Sequence, residues 1–537
     1  MKYLDTTVPK SKYKKEFRDY YDSYFFSLRR KYLNLIDKNF YHKIDLDLLV
    51  SSVSEKNISA SYTFHNICLY YSIKKILSKR KISILFVENK FLKKNIEVFY
   101  KGVIKVKNNK KVNKLSILII LLKHILLFFL IKTFSKKKKI KDKINLVDIF
   151  ITNKNIKVDR YYNNYFLNKK SFYQIPTFVN LSIRKIISCL SYFNKNKYIL
   201  KSQFLTLRNI LYSINFTFRV NTITIKKIFF EKLNIRELIK RELYLRHNLN
   251  ASIIGIQNYL FAKNLKDRGV NLKSILNWAE NTSVDKGWNY GFRTFYEKLP
   301  TFGYQGFYLE KKFSSNDITN NEIKAKTCPE YQLIIGSILK KPRSEFTKNI
   351  KFIPWRAFRF EHLLLKKFYK KKFNNKVIIL LNLDNEKCIE VIEQIKKTEF
   401  AKNKNTIFIK EHPLLKLNKF YQKELPKNFK LINGNFYDII KKFKVIISSD
   451  SSSSIYESLL SGGKIIFPIN DHYDNLNCEM LNVPKSYYKV CNNPQELDNY
   501  INKFLNQDIK FFEYYKNKDR LRKSINDKKN TSFFLKG

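Results

Sequence analysis

Residues 445–468 read "VIISSDSSSSIYESLLSGGKIIFP". Val445, Ile446 and Ile447 are apolar on consecutive positions, as in a strand buried on both faces. Six serines and one aspartate then fill positions 448–454, a composition that alone suggests a slack polar linker. The flanks give it another meaning. Ile455, Leu459 and Leu460 carry the spacing of a helix face, Gly462 and Gly463 end that helix, and a second apolar run, "KIIFP", begins at once. Strand, turn, helix and strand in succession form a crossover, and a crossover of this kind joins parallel strands. The serines therefore stand at the carboxyl end of a parallel strand, where open α/β sheets bind their ligands.

The same alternation extends upstream through "YQLIIGS" (331–337), "KVIILLNL" (376–383), "NTIFIKEHP" (405–413) and "NFKLING" (428–434), most of them separated by helical segments. It predicts a doubly wound Rossmann-like domain over 331–500, followed by a helical tail at 501–537, with the helical stretch from Glu496 to about Leu521 expected to pack back across both domains. Residues 1–80 read as helices. "ISILFVEN" (82–89), "INLVDIFIT" (144–152), "LKSILNWAEN" (272–281) and "LPTFGYQGF" (299–307) read as strands of a second, less regular Rossmann-like domain at 81–330, with a helix over 234–265. The expected fold class is α/β: two Rossmann-like domains facing a central cleft, with an N-terminal helical extension.

The net charge of +59 raises nucleic acid as a partner. The excess is mostly Lys, spread along the whole chain and accompanied by much Asn, Ile, Tyr and Phe, which is the pattern of compositional drift; no nucleic-acid partner is expected. Six cysteines without a C-x-x-C pair indicate neither a zinc ribbon nor a disulfide framework, and fit a reducing compartment. The sequence "MKYLDTTVPKSKYKKEF" has no apolar core of a signal peptide. One segment, "LSILIILLKHILLFFLIKTF" (115–134), is long enough to meet a membrane and is bracketed by lysines. Lys123 and His124 at its centre argue against spanning, since a central charge costs about 2.5 to 3.5 kcal/mol. A helix lying in the interface, with lysines on acidic headgroups, is the expectation; a buried core helix is the alternative.

Two strand ends of the C-terminal half carry polar constellations. Lys410, Glu411, His412 and Pro413 follow "TIFI", and the serine turn follows "KVII". Lys410 and His412 supply cationic donors suited to a phosphate. A serine-rich turn before a helix N-terminus brings hydroxyls, free N–H groups and the positive end of the dipole to one point, an anion site. Ser454 and Glu457 also fit the S-x-x-E capping box.

"KEHP" and "SSDSSSSIYESLLSGGKIIFP" together resemble the donor-binding domain of GT-B glycosyltransferases, in particular those using CMP-activated sugars: bacterial sialyl- and polysialyltransferases and capsule Kdo transferases. The resemblance covers roughly residues 330–500. It implies that Lys410, Glu411, His412 and Pro413 face the donor phosphate while Ser449, Ser451, Ser452, Ser453, Ser454 and Glu457 hold phosphate, ribose or base. CDP-glycerol polymerases are similar in the same two places, which keeps glycerophosphate transfer as an alternative. Upstream, "NWAENTSVDKGWNYGFRTFYEKLPTFGYQGF" and "WRAFRFEH" resemble stretches of uncharacterised bacterial surface-carbohydrate biosynthesis proteins.

An inverting transfer in such a fold needs one carboxylate in the cleft to take the acceptor hydroxyl proton, while cations stabilise the leaving phosphate; no metal and no cofactor are called for. Glu280, after "SILNWA", is the first choice and Asp285 in "VDKG" the second; the latter echoes an acidic-acidic-glycine motif with Lys286 in its middle. Gln305 and Arg359 are expected as cleft contacts. The expectation is sugar transfer from a nucleotide donor to a surface polysaccharide or lipid-linked acceptor, by a protein bound peripherally at the cytoplasmic face of a bacterial membrane. A non-enzymatic, membrane-bound assembly partner is the rival that charge alone favours.

Overall fold

The computed structural model describes residues 2–523 except 9, 11–12, 42–44, 108–113, 137–139, 141–142, 152–158, 160, 168, 179–180, 245, 308–315, 362–374, 383–384, 413–414, 435, 449–452, 469–482, 508–515 and 517–518. Strands β1 (Tyr3–Asp5), β2 (Ile84–Val87) and β3 (Val103–Val106) form a small parallel sheet in that order. β4 (Ile144–Ile151) and β5 (Phe172–Phe178) precede a hairpin of β6 (Phe229–Phe230) and β7 (Leu233–Asn234). β8 (Leu272–Trp278), β9 (Thr301–Gln305), β10 (Tyr331–Ile335) and β11 (Lys351–Trp355) follow. A six-stranded parallel sheet takes the order β11-β10-β9-β8-β4-β5. The third comprises β12 (Val377–Leu380), β13 (Ile407–Lys410), β14 (Phe429–Leu431), β15 (Val445–Ser448), β16 (Lys464–Pro468) and β17 (Tyr488–Cys491). It is also six-stranded and parallel, in the order β14-β13-β12-β15-β16-β17.

Both large sheets are doubly wound, as the alternation predicts. In the later sheet the chain steps outward from β12 through β13 and β14, then returns to lay β15 against the free side of β12. In the earlier sheet it steps from β4 to β5 and returns to lay β8 on the other side of β4. Where the winding reverses, neighbouring crossovers leave on opposite faces and a crevice opens at the carboxyl ends. These two switch points, β4/β8 and β12/β15, position everything described below.

Three expectations are corrected. "YQLIIGS" is a strand, but β10 pairs with β9 and β11, so the sheets divide between Trp355 and Val377 and not at residues 330–331. Apolar runs of equal strength look alike in sequence, and only the pairing assigns them to a sheet. "ISILFVEN" does form a strand, β2, but it belongs to the small sheet with β1 and β3. The helix Pro494–Asn506 crosses the expected boundary at 500–501; it begins at Asn493, whose side chain accepts the Glu496 N–H, and Pro494 follows at the first helical position.

The N-terminal helical region is built on the helix Lys15–Phe40, whose buried Phe17, Tyr21, Phe25, Leu28, Tyr32, Leu33, Ile36 and Phe40 recur at three and four residues. That face packs on the helix Tyr62–Leu77, capped by Ser61. The region is locked to the first large sheet by ions. Lys56 and Lys286 place Nζ 2.7 and 2.5 Å from the two oxygens of the Glu322 carboxylate, all three fully buried, and Tyr41 lies 2.6 Å from Lys286. Burial alone would push the Glu322 carboxyl up; the two ammoniums outweigh it and hold it well below its ordinary value. The helices Arg246–Asp267 and Ser283–Phe295 cross in near contact, because a Cβ on Gly287 would stand 1.9 Å from the Gly255 carbonyl oxygen. One apolar core joins the two large sheets: Ile149, Tyr304 and Phe358 share a cluster with Ile378, Ile446, Tyr456 and Leu521.

Candidate active site

At the β4/β8 switch point, β8 ends in Trp278 and the chain turns through Ala279, Glu280 and Asn281, the last with φ of 58°, before the helix Ser283–Phe295. Asn tolerates that left-handed conformation better than most residues. The buried Trp278 indole N–H donates to Glu280 Oε1 at 2.7 Å. Glu280 is open to solvent yet surrounded by protein, and this crowding raises its pKa, with the neighbouring Glu55 carboxylate adding and the Arg359 guanidinium opposing.

Asp285 is different. Its Oδ2 accepts the N–H groups of Glu280 and Thr282, both at 3.0 Å, and the Thr282 hydroxyl at 3.1 Å; Asn277 donates to its Oδ1 at 3.1 Å. It completes the N-terminal capping box of the helix and is buried. Burial pushes its carboxyl up to about 7, helped by Glu280 and opposed by the N–H groups that it accepts. Asp285 thus shapes the Glu280 turn from inside, and Glu280 is the carboxylate that meets solvent.

The strand ends beside Glu280 carry aromatic walls. Tyr161 meets the Trp278 ring edge-on at 4.4 Å between centroids, and Phe307 stacks on its other side at 5.3 Å. Gly306 is required there, because a Cβ would enter the rings of Tyr304 and Trp278. Gln305, expected as a cleft contact, is buried at the end of β9 and its side-chain nitrogen has no hydrogen-bond partner among the described residues.

Arg359, in the turn after β11, reaches the later sheet. Its Nε lies 3.2 Å from Oε1 of Glu457, fully buried in the helix Ser453–Leu460 that follows β15. One residue on, Phe360 packs edge-on against Tyr456. Arg359 thus pairs with Glu457, and its positive charge also opposes the upward shift of Glu280. The capping box expected of Ser454 and Glu457 is corrected: the helix already begins at Ser453, so Ser454 lies inside its first turn and the Glu457 carboxylate turns to Arg359.

At the β12/β15 switch point, β15 ends in Ser448 on one side of β12 and β13 ends in Lys410 on the other, two strand spacings away, about 9.6 Å. Ser448 closes β15, and Ser453 and Ser454 open the helix, with their main-chain N–H groups at its positive end. Ser449, Ser451, Ser452 and Pro413 lie outside the described residues. His412 is half-buried, in a turn where its carbonyl accepts the Leu415 N–H at 3.2 Å. Glu411 is occupied elsewhere: its carboxylate accepts the Leu417 N–H, the Gln422 amide and the Lys416 ammonium, which ties down the loop after β13.

Two carboxylates of this region were not singled out from sequence. Glu55, from the N-terminal region, accepts the Ser283 N–H at 2.8 Å and its hydroxyl at 2.6 Å, bringing a second acid beside Glu280; no local pattern announces a contact 228 residues apart. Asp159, after β4, is buried, accepts the Tyr161 N–H at 2.9 Å, and is pushed up to about 6 by burial. Its place beyond the strand "INLVDIFIT" was the signal that could have found it.

No family model and no curated protein matches the chain. Among solved structures it is similar to the glycotransferase of kitacinnamycin, at 10% identity over 71% of this chain and 96% of that one with a TM-score of 0.39. It is similar also to UDP-N-acetylglucosamine 2-epimerase from Rickettsia bellii, at 10% identity over 72% and 95% with a TM-score of 0.41. A third is MurG from Acinetobacter baumannii, at 9% identity over 71% and 94% with a TM-score of 0.36. The fold class stated above rests on the two sheets of this chain, and its chemistry on the residues at their ends.

Proposed function

We propose that the protein is a metal-independent glycosyltransferase that moves a sugar from a nucleotide donor, CMP-activated, to a surface polysaccharide or lipid-linked acceptor at the cytoplasmic face of a membrane. One observation carries the reading: β8, which the candidate base follows, and β15, which the serines follow, each flank the switch point of a doubly wound sheet, and Arg359 pairs with Glu457 in the helix after β15. In this reading Glu280 takes the proton of the acceptor hydroxyl, and the freed oxygen attacks the anomeric carbon as its bond to the donor phosphate breaks. The nucleotide leaves carrying negative charge, which Lys410, His412 and the N-terminus of the helix Ser453–Leu460 stabilise. Glu411 and Asp285 hold the two loops in shape.

A thermal-shift screen with CMP, CDP, UDP and GDP, followed by product analysis with whichever binds, tests it. CMP is expected to raise the melting temperature and His412→Ala to remove most of that rise. Full transfer activity in His412→Ala together with no CMP shift sinks the CMP-sugar reading. A product linked through glycerophosphate in place of a glycosidic bond assigns the protein to the CDP-glycerol class.

A further inference from the structure

The helix Lys114–Phe134 is long and apolar enough to cross a membrane, but its two faces differ. Ile117, Ile120, Leu121, Ile125 and Phe128 pack into the N-terminal core, and His124 reaches Asn250 at 3.0 Å and Gln257 at 3.3 Å on the helix Arg246–Asp267. Desolvation pushes His124 down to about 4, so it stays neutral against that helix. Leu115, Leu118, Ile119, Leu122, Leu126 and Phe129 are exposed. At about 100° per residue they form one stripe, some ~21 Å long at ~1.5 Å per residue. Lys123 and Lys132 then fall on its two flanks, each about 90° from its centre, and both are exposed. The central lysine that argued against spanning in the linear sequence is lateral in the folded helix.

The stripe does not stand alone. The helix Leu207–Ile214 packs against both Lys114–Phe134 and Arg246–Asp267 and leaves Leu207, Leu211 and Tyr212 exposed; Phe218 of the adjoining Phe216–Thr222 is 63% exposed. Arg208 and Lys185, on the two helices that pack against Lys114–Phe134, are also exposed. A broad apolar patch rimmed by cations marks an interaction surface. We propose that these helices form one docking platform that lies flat in the headgroup layer of an anionic bilayer, apolar side chains in the acyl boundary and lysines on the phosphates. Charge decides among occupants: at +59 a second copy is repelled, whereas an acidic lipid surface is attracted. The inference rests on the interfacial reading of the long helix and is independent of sugar transfer.

The test is flotation of the full chain with vesicles of phosphatidylcholine alone or mixed with phosphatidylglycerol, for wild type and for the variant Leu118→Ser, Leu122→Ser, Phe129→Ser, Leu211→Ser, Phe218→Ser. All five side chains are exposed, so the variant is expected to keep the wild-type melting temperature and circular dichroism. The expected result is binding to mixed vesicles that weakens with salt and falls at least about tenfold in the variant. Equal vesicle binding by wild type and variant overturns the proposal. So does a wild type that ignores vesicles and elutes as a dimer which the variant dissolves, because the platform then belongs to a second copy. Flotation uses no nucleotide, so docking without nucleotide binding defeats the transferase reading alone, and nucleotide binding without docking defeats this proposal alone.

Discussion

Glu280 and Asp285 stand five positions apart in sequence and meet opposite surroundings. Glu280 is solvent-accessible and held by one indole N–H, whereas Asp285 is buried beneath it with four donors. Glu280→Gln is expected to lower kcat by about 10²–10⁴-fold with the nucleotide thermal shift unchanged. Arg359 opposes the upward shift of the Glu280 pKa, so Arg359→Met is expected to move the acidic limb of the pH–rate profile to higher pH. Asp285 gives a stability signature. Its folded pKa of about 7 lies above the ordinary 3.8. Between those values the folded state binds more protons than the unfolded, so its contribution is complete below the unfolded value and is lost as pH rises through about 7. Wild-type melting temperature is therefore expected to decline between about pH 4 and 7 more steeply than that of Asp285→Asn. The buried ions give the largest residue-scale cost: Lys286→Met leaves Glu322 short of a partner, and unfolding in urea is expected to show a loss of about 3–5 kcal/mol.

At the scale of elements, the legible strands were the continuous apolar ones. β12, β13, β15 and β16 read directly from their sequence because both of their faces are covered. β5 and β11 were not read, and each contains a proline, Pro176 and Pro354. Proline withholds a ladder N–H and is confined to edges, and these two strands are the two edges of their sheet. What hid them from a search for apolar runs is what fixes their place. The site was legible to the extent that strand ends were: Glu280, Lys410 and His412 follow strands seen in sequence. Glu55 was invisible because it arrives from a distant turn, and the Arg359–Glu457 pairing because it crosses between sheets. The helix crossing at Gly255 and Gly287 is equally non-local. Gly287→Ala places a methyl group against a main-chain carbonyl and is expected to cost about 1–3 kcal/mol by chemical denaturation.

Across the whole molecule, the shared core between the two large sheets and the Arg359–Glu457 bridge argue for a single cooperative unfolding unit, with one calorimetric transition in place of two. The N-terminal region belongs to that unit by long-range ties: Lys56 to Glu322 across 266 residues and Arg18 to Glu390 across 372. These distances have a consequence for synthesis. A ribosome adding about 5–20 residues per second makes Lys56 some ~13–50 s before Glu322 exists. During that interval Lys56 has no counter-ion in its future place, and the apolar face of Lys15–Phe40 waits for much of the core that will cover it. The nascent chain therefore has to carry the helix Lys15–Phe40 unfinished until Glu322 and the core around it have been made, an interval in which its apolar face is open to chaperones.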